Sequence, residues 1–286
     1  MKNIIWLLIA SLILSKSTTV NLSPNLKISN QKIIDESLND SHYDIPFQSI
    51  LVAVDDIDNL SVSAEIFSKR IISNKSISDA FIPSDYTRHA IQAIGGESLL
   101  YYTSEPMYMR GVKIVQVLIC PYTYDKNSKT LILYDNISLT LDSNQVNNMP
   151  LSSDFELILS SLVHNYEFQS RSEDYRPCIL FVCGGNSLNQ SSMQSLIDWR
   201  KQLGYDVRTV EISEIGSSTD AIRGYIQNAY NNWENPPEYI VLVGDTGGEY
   251  SIPYFSTTWG SSDYDYTLLE GDDLLPEMII GRISAE

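Results

Sequence analysis

Three strand-like segments, at positions 179–183, 207–212 and 239–243, the first and third of them apolar runs, alternate with two amphipathic stretches, and that alternation leaves the C-terminal part of the chain few ways to fold. The first run, Ile179-Leu180-Phe181-Val182-Cys183, has no polar interruption and meets Gly184-Gly185, as expected of a strand buried on both faces. Ser191-Ser192 offers a cap to a helix carrying Met193, Leu196, Ile197 and Leu203, with Gly204 to close it. Ser217-Ser218-Thr219 offers another, ahead of a stripe of Ile222, Ile226, Ala229, Tyr230 and Trp233 at helical spacing. Gly224 inside that second helix costs about 1 kcal/mol relative to alanine. Pro236-Pro237 ends it, and Gly244-Asp245 closes the third run. A further apolar run, Met278-Ile279-Ile280, leads into Gly281-Arg282-Ile283. Strand-helix-strand-helix-strand predicts a parallel sheet with right-handed crossovers and helices on both faces.

Upstream the periodicity is different. Residues 50–54 read as a strand, residues 112–120 are rich in β-branched side chains and stop at Pro121, and residues 130–134 and 137–141 alternate apolar with polar. Asp125-Lys126-Asn127-Ser128 is suited to a turn between them. Positions 45–142 therefore predict an antiparallel β module. The segment 143–150 is a polar joint, 155–163 has helical character, and 169–176 is a second polar stretch in which Arg171 and Arg176 are exposed candidates for proteolytic processing.

At the N-terminus Lys2 precedes a short apolar run over 4–14, followed by polar residues 15–19. The run is short for a bilayer span and has the layout of an export signal; a core helix or a retained anchor are the alternatives. No later stretch is apolar and long enough for a membrane-spanning helix. The expected organisation is a signal over 1–19, a β-rich domain over 20–150, a linker over 151–176 and an α/β domain over 177–286.

With 19 Lys+Arg against 36 Asp+Glu, the 286-residue chain carries a formal charge of -17, which repels phosphate backbones and anionic lipid. Nucleic acid is not an expected partner. The three cysteines, Cys120, Cys178 and Cys183, are an odd number for an exported protein and form no disulfide framework. His42, His89 and His164 are scattered, without zinc-ligand spacing. No Gly-x-Gly-x-x-Gly follows Gly184-Gly185, no Walker lysine follows a glycine loop, and no Gly-x-Ser-x-Gly elbow occurs. Cys183 ends a strand without a histidine in the α/β part to activate it, so no catalytic residue is assigned. The acidic positions Asp245, Asp263 and Asp265 lie at or beyond the third strand end; they suit calcium, or equally a solvated acidic loop. Trp199 and Arg200 read as a packed and a solvated helix residue, and Arg282 as a structural partner for one of the loop carboxylates.

The order of these pieces resembles a known family. Leu196-Ile197-Asp198-Trp199-Arg200-Lys201-Gln202 with Gly204 and Val207 is followed by Tyr239-Ile240-Val241-Leu242-Val243-Gly244-Asp245 with Ile252-Pro253. Ser262-Asp263-Tyr264-Asp265-Tyr266 and Pro276-Glu277-Met278-Ile279-Ile280-Gly281-Arg282-Ile283-Ser284 complete the set. Together they resemble the N-terminal part of the gingipain (C25) cysteine peptidase domain, and the β module resembles that family's propeptide. The resemblance implies a caspase-like α/β fold, secretion as a latent precursor, and endopeptidase action on proteins or peptides. It places the reactive His and Cys on later strands, downstream of the Gly281-Arg282-Ile283-Ser284 element, so neither carries over. It also implies structural calcium near Asp245 and Asp263, with Asp265 as a third position. The competing readings are a secreted non-catalytic binding or surface module on the same fold, and a flavodoxin-like nucleotide binder. Oligomeric state is not predicted.

Overall fold

A computed structural model describes residues 16–29, 32–35, 47–77, 86–143, 149, 151–168, 175–258 and 260–284. Two compact units divide the chain, one of residues 1–105 and 115–146, the other of residues 106–114 and 147–286. The apolar N-terminal run lies outside the described residues. The polar positions 16–19, expected to end an export signal, belong to a strand.

The first strands are β1 (Lys16–Leu22), the hairpin β2 (Leu26–Ser29) with β3 (Lys32–Asp35), β4 (Gln48–Ala53) and β5 (Ser61–Ile72). After them come β6 (Thr87–Gln92), β7 (Ser98–Thr103), β8 (Met107–Met109), β9 (Val112–Cys120), β10 (Tyr122–Asp125) and β11 (Thr130–Ser143). Strand β11 is the spine of one sheet, antiparallel to β5 on one side and to β1 and β10 on the other. A second sheet runs in the order β4-β9-β7-β6. Val20, Val62, Leu139 and Leu141 from the first sheet share a core with Val52, Leu99, Val117 and Ile119 from the second. The two runs that the alternation separates, 130–134 and 137–141, are one strand with a register irregularity at 134–136. That irregularity reverses the pleat: Ile132 and Tyr134 before it, and Ile137 and Leu139 after it, face the same core.

In the second unit α1 (Ser153–Leu162) is capped by Ser152, whose hydroxyl accepts from the Phe155 N–H at 3.4 Å. Then follow β12 (Cys178–Cys183), α2 (Ser191–Gln202), β13 (Asp206–Glu211), the single turn α3 (Ile212–Ile215), α4 (Thr219–Asn232) and β14 (Pro237–Val243). A small hairpin of β15 (Phe255–Thr257) and β16 (Gly260–Ser262) precedes β17 (Ile279–Ile283). Strands β13, β12, β14 and β17 lie side by side in that order, all parallel. Even-numbered Leu180, Val182, Ile240 and Leu242 pack with Ile222, Ile226 and Tyr230 of α4. Odd-numbered Ile179, Phe181 and Val243 pack with Met193 and Ile197 of α2. Helices thus cover both faces, and each large aliphatic side chain so buried contributes roughly 1.5–3 kcal/mol.

Local details depart from the sequence reading. Ser191 and Ser192 lie inside α2 rather than capping it, whereas the Ser218 hydroxyl does cap α4, accepting from the Ala221 N–H at 3.1 Å. Ile212, read as the end of a strand, begins α3. Trp199 is not a core residue but 51% exposed, because the buried stripe of α2 is Met193 and Ile197; the Arg200 guanidinium lies 4.7 Å from its ring centre. Residues 151–168 belong to the second unit and contain α1, so they are not a free linker.

Just before β17, Glu277 is fully buried. One carboxyl oxygen accepts from the Leu269 N–H at 2.6 Å and the other has no hydrogen-bond partner. Burial pushes this acid from an ordinary 4.5 up to about 7, reinforced by the nearby carboxylates of Glu270 and Asp273. Between those two values the folded chain holds a proton that the unfolded chain releases, so stability is fully present below 4.5 and is lost as pH rises through 7. The loss is on the order of 3 kcal/mol. Thermal melts from pH 4 to 8 are expected to show this fall in the parent chain, with that component missing in Glu277→Gln.

Candidate active site

The carboxyl ends of parallel strands form the rim at which ligands gather in open α/β sheets. Here Cys183 runs into Gly184 and Val243 into Gly244. The Gly184 N–H donates to the Val243 carbonyl at 3.0 Å and the Gly244 N–H to the Ile283 carbonyl at 2.9 Å, so sheet bonding extends past both strand ends. The loop leaving Asp245 folds back over this rim and is closed by Ile252 N–H donating to the Asp245 carbonyl at 2.8 Å. A methyl on Gly184 would lie 2.2 Å from the Tyr250 carbonyl oxygen, and one on Gly244 1.8 Å from the same atom. Gly185, at φ +53°, meets the Glu249 carbonyl at 2.5 Å in the same way. These glycines make room for the chain's own backbone, which is the physical reason that no longer phosphate-binding glycine pattern follows them.

Arg282, on β17, fastens that loop. Its Nε and Nη2 donate to the two carboxylate oxygens of Asp263 at 2.8 and 2.6 Å. Nη1 donates to the carbonyls of Gly244 and Ile252 at 3.1 and 3.0 Å, and Nη2 also to that of Pro253 at 3.2 Å. All five guanidinium N–H groups are thereby used. The hydrogen bonds that Arg282 donates to Asp263 raise the Arg282 pKa above its ordinary value, against the opposing effect of burial. The expected pairing of Arg282 with a loop carboxylate is present, and its partner is Asp263.

Of the other acidic positions singled out in the sequence, half-buried Asp245 caps its own loop by accepting from the Thr246 N–H at 2.7 Å, and Asp265 sits in the single turn Tyr264–Tyr266. Among the described residues no group of three or more His, Cys, Asp or Glu side chains is placed to hold a metal ion. Both oxygens of Asp263 accept hydrogen bonds from Arg282.

Cys183 ends its strand fully buried, and burial pushes its thiol up to about 11. Cys120 and Cys178 are also buried, each raised to about 12 mainly by the same cause. A thiol held protonated is neither nucleophile nor ligand. His89, on β6, stacks on Tyr101 at 4.7 Å and is lowered by burial; it belongs to the other unit. The described residues therefore build a rim and its supports, without a Cys–His pair.

Two outcomes follow. Arg282→Lys keeps the charge and loses the fork, and is expected to cost about 2–3 kcal/mol in urea unfolding, with faster proteolysis across 245–258. The native chain at pH 8 is expected to leave all three thiols unmodified by a disulfide reagent that titrates them fully in denaturant.

Residues 173–286 match the sequence profile of peptidase family C25. Gingipain R2 of Porphyromonas gingivalis is 28% identical over 199 residues, covering 64% of this chain and 26% of that protein. Gingipain R1 of the same species is 24% identical over 266 residues, covering 85% of this chain and 26% of its own length. The chain thus spans about a quarter of these relatives. The crystal structure of the Arg-specific cysteine proteinase gingipain R overlaps 42% of this chain and 27% of its own at 25% identity, with a TM-score of 0.35. By the profile, the segment 173–286 carries the sequence of peptidase family C25, and the relatives it is similar to are gingipains.

Proposed function

We propose that this chain is the N-terminal portion of a secreted cysteine endopeptidase precursor that hydrolyses proteins or peptides. The observation that carries the reading is the four-stranded parallel sheet whose carboxyl rim is held by Arg282 and Asp263, inside the segment that matches the peptidase family. In this reading residues 177–286 are the front of a caspase-like domain and the β-rich unit is its propeptide. The apolar N-terminal run directs export. Arg282 and Asp263 act as positioning residues: they set the backbone beside which the reacting cysteine and histidine, on strands following β17, would stand.

The second reading is a secreted binding module on the same fold without peptidase activity. The two part on one experiment. The complete reading frame from the source genome is expressed, processed and assayed on casein with and without a thiol alkylator. Alkylator-sensitive hydrolysis that survives Cys183→Ala is the expected result. A fully processed, folded product without hydrolysis establishes the second reading instead.

A further inference from the structure

Between β8 and β9 the chain reverses in two residues, since Met109 pairs with Val112. Both turn residues are left-handed, Arg110 at φ 51° and Gly111 at φ 74°. Such turns favour Asn-Gly, because a side chain without a short polar group is strained there. The arginine is nevertheless fully buried, in the same unit as the α/β sheet. Its Nη1 donates to the Pro237 carbonyl at 2.5 Å and the Glu277 carbonyl at 3.4 Å, and its Nη2 to the Pro236 carbonyl at 3.0 Å. The guanidinium carbon lies 5.6 Å from the ring centre of Phe155 and 5.7 Å from that of Tyr230. Glu238, also fully buried, stands 4.0 Å away, its carboxylate held by the Ser152 N–H at 2.9 and 3.1 Å and by the Tyr175 hydroxyl. The hairpin backbone is gripped as well: the Tyr108 N–H donates to Asp273 at 2.8 Å and the Gly111 N–H to Glu270 at 3.2 Å.

Three carbonyls, two aromatic rings and one anchored carboxylate around a planar cation make a receptor for guanidinium, whose flat face suits the rings and whose two Nη groups suit the carbonyls, with Nε left without a hydrogen-bond partner. An ammonium group would leave part of this set unused. We propose that the α/β unit carries an arginine-receptor pocket, built by Phe155, Tyr230, Glu238 and the carbonyls of Pro236, Pro237 and Glu277, that takes the arginine of an Arg-Gly hairpin tip, supplied here in cis by residues 107–114. The pocket is distinct from the carboxyl rim, because Pro237 and Glu238 open β14 at its amino end. The inference does not depend on peptidase activity. It makes residues 106–114 a working part of a unit whose remaining sequence starts at 147.

The test is chemical rescue in the full chain. Arg110→Ala is expected to lower the melting temperature by roughly 10 °C, as expected when one partner of a buried charge pair is removed. Millimolar N-ethylguanidinium should recover at least half of that loss, saturably, while leaving the parent chain unchanged; ethylammonium should recover none. An Ala variant as stable as the parent, a failure of ethylguanidinium to rescue, or equal rescue by both cations overturns the proposal. Should Arg110→Ala not fold, amide exchange in the parent chain decides: Tyr108 and Gly111 are expected to be protected as strongly as β12. Exchange at the rate of an open turn there overturns it.

Discussion

Burial of β12 on both faces is the constraint from which the α/β unit follows. All six residues from Cys178 to Cys183 are buried, so neither side of the strand can face water. The only way to achieve that with short connections is to place α2 on one face and α4 on the other, and parallel strands joined by helices do so. Once the sheet is parallel its carboxyl ends share one rim, and every loop leaving a strand there competes for the same space. Gly184, Gly185 and Gly244 resolve that competition by giving up their side chains to the backbone of residues 249–250.

The rim then needs a fastening, because a loop that lies on strand ends has few apolar groups to hold it. Arg282 provides it from the neighbouring strand, with a charge-assisted fork on Asp263 and three carbonyl contacts.

The parallel unit was legible because its two central strands carry uninterrupted apolar runs and its helices carry stripes at the right spacing. The β-rich unit was legible as alternation in 112–120 and 130–141. Other parts lacked a local signal. Residues 16–22 open with four consecutive polar residues and form a strand paired along its length with β11. The hairpin 255–262 and the single turn at 212–215 are set by tertiary packing, beneath what propensity resolves. That Arg282 pairs with one of the loop carboxylates could be read from the sequence, though not which one, whereas the burial of Arg110 could not. Its only trace is a Gly after a bulky residue between two β-like runs, and charged residues are seldom expected in a core.

The placement of Arg110 also bears on the order in which the molecule can be assembled. Its hydrogen bonds to residues 237 and 277 span 127 and 167 positions of chain. Emerging from the ribosome first, the hairpin tip has nothing to receive it until β14 and the residues before β17 have been made. Contacts this distant in sequence are slow to close, since a long loop must be ordered before they repay it. The first unit can therefore settle early, while completion of the second waits on the synthesis of residues 237–277.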